Sequence, residues 1–243
     1  VEAQENVAID VAEEVLHILR NQPFKNAVNM PSVPAPVLAK LAPYFTLGEK
    51  MGSIIAQMSD GAVQEVTINF SGELADVDTS QLVRYMIKGL LSHHLGSEVN
   101  IVNALHLAKT RDLHIVRSKS TATKGFTNLI GIEVRTKNEK RRLAGTLLNG
   151  YGARIVEIDH YPVDISPEGN LLLVSHTDKP GIIGRLGTLL GSNDVNIATM
   201  QVGRKIIGGA AIMVLSVDKP VPKDVLAQLA QLPEFNSVKE IRL

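Results

Sequence analysis

Apolar residues recur along this chain in two periods, and the change from one to the other marks out its parts. Val7, Val11, Val15 and Ile18 stand at helical spacing, with Ala8, Ala12, Leu16 and Leu19 widening the stripe. Residues 2–20 are therefore expected as one amphipathic helix. Residues 26–36, NAVNMPSVPAP, break that period with proline and polar side chains. They read as an extended linker and a domain boundary. Leu47, Met51, Ile54, Ile55 and Met58 then keep the apolar face of a second long helix. From 62 to 70 the period drops to two: Val66, Ile68 and Phe70 alternate with Glu65, Thr67 and Asn69, the signature of a strand with one buried face. Helical spacing returns over 79–93, carried by Leu82, Val83, Met86, Ile87, Leu90 and Leu91, and over a shorter stretch, 99–109. Strands are expected at about 113–117, 128–136, 140–148 and 154–158, with a short one near Val163 and a hairpin turn at Lys137-Asn138-Glu139. This middle section reads as α+β.

The last stretch has its own order. An apolar strand, Leu171 to Val174, runs into His176-Thr177-Asp178-Lys179-Pro180-Gly181. A helix follows, by the spacing of Ile182, Ile183, Leu186, Leu189 and Leu190, and Gly191 and Asn193 end it. Strands at 196–202, 210–217 and 237–243 and a helix at 223–231 complete βαββαβ, the ferredoxin-like arrangement. The strand–helix turn carries candidate chemistry. A helix N-terminus presents free N–H groups and partial positive charge, which suits a carboxylate. Asp178, just before it, can neutralise an ammonium group. Together they describe a receptor for a free amino acid. The plainer reading is that Asp178 caps the helix and Asn196 only turns the chain.

Composition narrows the rest. The chain has 243 residues, 44% hydrophobic, enough for one large domain or two ordinary ones. Its 25 basic and 25 acidic side chains balance, which argues against a general nucleic-acid or membrane-surface partner. Cysteine is absent, which removes disulfides and thiolate metal sites and fits a reducing cytoplasm. No apolar run approaches the roughly 20 residues of a membrane helix. VEAQENVAID lacks the basic front and apolar core of a signal peptide, and without an initiator Met the chain looks like a piece of a longer one. Gly181, Gly184 and Gly187 spell G-x-x-G-x-x-G, but lack the tight first pair of a dinucleotide fingerprint. They point instead to close approach of their helix to the sheet or to a partner subunit. His93, His94, His106 and His114 lack chelating spacing, so no metal site is expected. Lys119, Lys124, Arg141, Arg142 and Arg154 make the middle locally basic. A phosphate or carboxylate could sit there, or the charges could protect a solvated sheet edge. No nucleophile–base pair, P-loop or paired-carboxylate wording occurs, so no catalytic residue is assigned.

Several of these words also resemble known families. D-K-P-G at the turn, Asp194-Val195-Asn196-Ile197, and Gly203-Arg204 followed by Gly208-Gly209-Ala210-Ala211 are similar to the ACT domain, a small regulatory module that binds amino acids. In ACT domains of serine-pathway enzymes the matching positions face an effector between two subunits. The resemblance implies that His176 meets the hydroxyl of L-serine, Asp178 holds its ammonium, the Gly181 backbone meets its carboxylate and Asn196 bonds its polar groups. Many members carry Asn where this chain has Asp178. VEAQENVAIDVAEEVL with NAVNMP resembles the end of the catalytic portion of the D-3-phosphoglycerate dehydrogenase family. LAPYFTLGEKMGSI, VNIVNALHLA and GTLLNGYGARIVEID resemble that family's intervening domain, an allosteric substrate-binding module. There Arg154 matches a basic position that touches an anion. The division implied is 1–30, the end of the catalytic portion; 31–168, an α/β intervening domain; and 169–243, the ACT domain. Such a chain lacks the Rossmann domain and holds no cofactor, while its parent uses NAD to oxidise 3-phosphoglycerate. It would self-associate through ACT domains as a dimer or tetramer. Two rivals stand beside this reading. One is the beta-type chain of an iron–sulfur L-serine dehydratase, whose S-S-S-H-T stretch is absent here. The other is an ACT assembly module that binds nothing.

Overall fold

A computed structural model of the chain describes residues 2–19 and 33–243. Helix α1 spans Glu2–Leu19, and Val7, Val11, Val15 and Leu16 of its apolar stripe are exposed. Residues 26–32 of the expected linker lie outside the described residues. Its end is not extended: α2 (Ala35–Met58) begins there with a proline in its first turn, where the missing N–H costs nothing.

Helix α3 (Ser80–Leu95) lies on α2 almost backbone to backbone. A Cβ at Gly52 would stand 2.0 Å from the Met86 carbonyl oxygen, and one at Gly89 would stand 1.9 Å from that of Glu49. Only glycine permits that approach. The next helix is shorter than its apolar spacing suggests, α4 covering only Ala104–Lys109. The side chain of Asn100 accepts from the N–H groups of Val102 and Asn103, and that of Asn103 accepts from Asn100 N–H. These local bonds compete with the helical ladder and delay its start.

Helices α2 and α3 cover one face of a six-stranded sheet. Its strands are β1 (Glu65–Gly72), β2 (His114–Ser120), β3 (Asn128–Arg135), β4 (Lys140–Leu148), β5 (Gly152–Ile158) and β6 (Tyr161–Ile165), in the order β2-β1-β3-β4-β5-β6. Only the β1–β2 pair is parallel. The second sheet holds β7 (Asn170–Thr177), β8 (Ile197–Arg204), β9 (Ala210–Val217) and β10 (Phe235–Arg242), in the order β10-β7-β9-β8. Helices α5 (Ile182–Gly191) and α6 (Lys223–Ala230) lie on one of its faces. The class is therefore α+β, with a ferredoxin-like C-terminal unit.

The two units share a core. Leu172 and Val174 of β7 and Met213 and Leu215 of β9 pack with α5 and α6. Leu171, Leu173, Ile212, Val214 and Ile241, on the opposite face, join the cluster formed by α2, α3 and the first sheet. Several polar bonds lock this seam. The Gln57 side-chain amide donates to the Arg242 carbonyl at 2.9 Å and accepts from Arg242 N–H at 2.9 Å, standing in for a neighbouring strand at the free edge of β10. Lys239 pairs with Asp60, and Lys50 with Glu168 at 3.7 Å. Gly203 of β8 lets β6 come close: its Cβ would lie 3.0 Å from Tyr161 Cβ.

Candidate functional site

Strand β7 carries His176 to the end of the second sheet, on the face that holds α5 and α6. Residues 172, 174 and 176 share that face because side chains alternate along a strand. The imidazole is 2% exposed and meets Phe235 edge-on at 6.4 Å between ring centres. Its Nδ1 lies 3.1 Å from the Thr177 carbonyl oxygen. A carbonyl can only accept, so Nδ1 donates this bond, and in the neutral ring Nε2 is then an acceptor. That Nε2 is buried and has no hydrogen-bond partner. Buried polar atoms are nearly always paired, so a lone one needs a reason.

The chain then turns through Asp178 to Gly181. Asp178 N–H donates to the Gly209 carbonyl at 2.8 Å. Its Oδ2 accepts from Arg204 Nη1 at 2.9 Å and from Gly208 N–H at 3.2 Å. These bonds, Arg204 first, hold the carboxyl below the usual carboxylate range. Gly181 has φ +87°, a left-handed conformation that disfavours any side chain, and it begins α5. No side chain caps that helix, so Asp178 is not its cap. The first-turn N–H groups of α5 therefore keep their capacity for an anion.

Asn196 lies elsewhere. It precedes β8, whose register sets Ile197 against Val217 and Arg204 against Ala211. His176 and Thr177 lie against Ala211 and Ala210. Within one chain, Asn196 is thus roughly 30 Å from Asp178, about a strand's length away. Its side chain donates to Asp218 Oδ2 at 2.8 Å. The structure gathers His176, Asp178 and Gly181 at one end and leaves Asn196 at the other.

The glycines of α5 do not bring it close to the sheet, because a Cβ at Gly184 or Gly187 would meet nothing within 4 Å. Gly184, with Gly181 before the helix, lines an open groove of about 820 Å³ between α5 and α6. Ile183, Val202, Ile206 and Ile207 are exposed on α5, β8 and the β8–β9 turn. Arg154 is already engaged: its Nε donates to Asp164 Oδ1 at 2.6 Å and its Nη2 to the Asp164 carbonyl at 3.1 Å. Sequence reasoning missed Arg204 and Gly208 as the partners of Asp178. Sheet order was the signal that could have found them, since βαββαβ pairing brings the β8–β9 turn to the end of β7.

The model of the D-3-phosphoglycerate dehydrogenase intervening domain matches residues 40–159, and that of the ACT domain matches 170–234. D-3-phosphoglycerate dehydrogenase of Methanocaldococcus jannaschii is 40% identical over 242 residues, covering all of this chain and 46% of that protein. The Bacillus subtilis enzyme of the same name is 39% identical over 242 residues, again all of this chain and 46% of that protein. The Synechocystis one is 38% identical over 243 residues, all of this chain and 44% of that protein. The chain thus spans less than half the length of the relatives it matches, and it matches their C-terminal part. By its intervening domain, its ACT domain and its full-length match, the chain belongs to the D-3-phosphoglycerate dehydrogenase family and corresponds to the C-terminal part of its members.

Proposed function

We propose that this chain is a regulatory and assembly region whose ACT unit binds L-serine as an allosteric effector. The observation that carries the reading is the buried, unpartnered Nε2 of His176 beside the uncapped start of α5. An acceptor without a donor suits a hydroxyl, and free helix N–H groups suit a carboxylate. Asp178 supplies negative charge for the ammonium, with both of its bonds falling on one oxygen, Oδ2.

The site is completed by a second copy. Strand β8 is an edge, and most of its residues are exposed. Two such edges paired antiparallel about a two-fold axis would bring the Asn196 of one copy toward the Arg204–Asp178 end of the other. The exposed Ile183, Val202, Ile206 and Ile207 would be covered in the same step. Effector bound there would favour one arrangement of the paired chains, provided its affinity differs between arrangements. The parent protein would oxidise 3-phosphoglycerate with NAD in the cytoplasm, at the first step of L-serine biosynthesis. The units at 31–168 and 169–243 would link its catalytic portion to the effector.

Titration calorimetry with L-serine, with D-serine and glycine as controls, tests this. Stereoselective binding that weakens for glycine, which lacks the hydroxyl, is expected. Equal binding of glycine would remove His176 from the site. No binding at millimolar L-serine would overturn the effector reading and leave an assembly module.

A further inference from the structure

An apolar hollow opens at the C-terminal end of α3, lined by none of the residues at the end of β7. Three segments meet around it: the last turns of α3, the crossing from α2 into β1 at Gly61-Ala62-Val63, and the turn Arg111-Asp112-Leu113 that leads from α4 into β2. Both loops pass through left-handed residues, Gly61 at φ +83° and Asp112 at φ +53°. The space between the segments is about 490 Å³. Leu90, Leu91 and Leu113, all nearly buried, form its floor. Val63 and Leu95 are half-buried at its sides and pack on the core behind. An apolar hollow of this size with a few polar groups at its mouth is the common form of a small-molecule site.

The polar groups at the mouth are Arg111 and His94. Arg141, Arg142, Arg154, Arg185 and Arg204 each hold a carboxylate. Arg111 is exposed and pairs with no carboxylate among the described residues, Asp112 beside it included. Its guanidinium makes one long hydrogen bond, from Nη1 to the Leu107 carbonyl at 3.4 Å, and that oxygen already accepts from Thr110 Oγ1 at 3.0 Å. Most of its N–H donors are therefore free, on the rim of a cavity whose floor is leucine. The imidazole of His94 can donate a second bond at the same rim.

We propose that this hollow binds an amphiphilic carboxylate, with a straight alkyl chain against the leucines and the head group on Arg111. The lining selects that chemistry. Leucine and valine side chains offer no hydrogen-bond partner to a sugar or a nucleotide, while a free guanidinium matches a carboxylate through two parallel bonds. Apolar contact supplies the binding and the charge fixes its direction, so an anion without a tail has nothing to bury. The site does not depend on the effector reading.

Calorimetric titration of the whole chain with acetate, butanoate, hexanoate and octanoate tests this, with inorganic phosphate and octanol as controls. Affinity should rise about threefold for each methylene added, close to the worth of a buried CH₂. Acetate and phosphate are expected not to bind. Octanol should bind about tenfold more weakly than octanoate, the worth of one charge-assisted hydrogen bond. Arg111→Gln should bring octanoate down to the level of octanol and leave octanol where it was. Ala62→Phe sets a ring over the hollow from an exposed loop position, so the core is untouched, and should abolish both. Neither variant should change the L-serine titration. Equal affinity along the carboxylate series, or octanoate binding that either variant leaves unchanged, would overturn the proposal.

Discussion

The two sheets of this chain differ in what they leave open. In β1, Val66, Ile68 and Phe70 point into the core while Thr67 and Asn69 point out, so the six-stranded sheet has a free face. In β7 and β9 the alternation disappears. Leu171 to Val174 and Ile212 to Leu215 are all buried, because α5 and α6 cover one side and the first unit covers the other. A continuous apolar run is what burial on both faces requires. The difference decides where ligand chemistry can stand. The six-stranded sheet can offer a trough across its strands. The four-stranded sheet has only its ends and its β8 edge, and there His176, Asp178 and the start of α5 are found. The covered face also packs α2 directly against β10, with Gln57 bonded to the Arg242 backbone.

The strongest way to break this contrast is a charge on a face that the structure covers. Leu173→Asp places a carboxylate in the seam between the units and should cost more than about 4 kcal/mol, beyond the ordinary range for point changes. Thr67→Lys, on the open face and opposite Glu133, should cost less than about 1 kcal/mol. Urea denaturation of both variants checks the pair. Similar losses would mean that the second sheet is not covered in solution. Gln57→Ala probes the same seam more gently. It removes two bonds to the Arg242 backbone and should cost about 1–2 kcal/mol. Hydrogen exchange at the Arg242 amide should speed up while that of central β9 holds. An unchanged Arg242 amide would show that β10 needs no such clasp.

Much of this contrast was legible in the sequence. The alternation of β1 announced a half-open sheet, and the unbroken LLLV of β7 is the pattern of a strand buried twice over. What the pattern cannot name is the cover on the second face. That cover comes from α2 and β6, more than a hundred and about ten residues earlier in the chain, and nothing local marks them as neighbours of β7. The site divided in the same way. His176, Asp178 and Gly181 stand together because one turn holds them, and a turn is local. Arg204 and Gly208 reach Asp178 only through strand order. Asn196 is separated from them by the length of β8, and only a second copy could bring the two ends together. Lys124 and Arg142 were visible as part of a locally basic stretch, but their meeting at Glu157 depends on strand order and register.

At the end of β7, burial and binding can be pulled apart. His176→Phe keeps the ring contact with Phe235 and removes the unpartnered Nε2. Folding stability should stay level or rise slightly, since a buried polar atom without a partner is a cost. L-serine affinity should fall by about 1–2 kcal/mol, the net worth of one hydrogen bond. Parallel denaturation and calorimetry read both quantities. A loss of stability equal to the loss of binding would make His176 a core residue and nothing more.

The smallest effect expected concerns pH. Arg204 and Gly208 lower the pKa of Asp178 in the folded chain. A carboxylate depressed in this way contributes fully above its unfolded value and loses that contribution as pH falls through the lower folded value. Its negative charge is therefore intact across the neutral range. The contribution of Asp178 to L-serine affinity should hold through the neutral range and should decline only below about pH 4, under the ordinary carboxylate value. Asp178→Asn removes the charge and should flatten that acid limb while lowering affinity at every pH. A fall between pH 7 and 6 instead would assign the titration to an imidazole. In that case Asp178 would not carry the pH dependence, and the Arg204–Asp178 pair would serve only to fasten the β8–β9 turn.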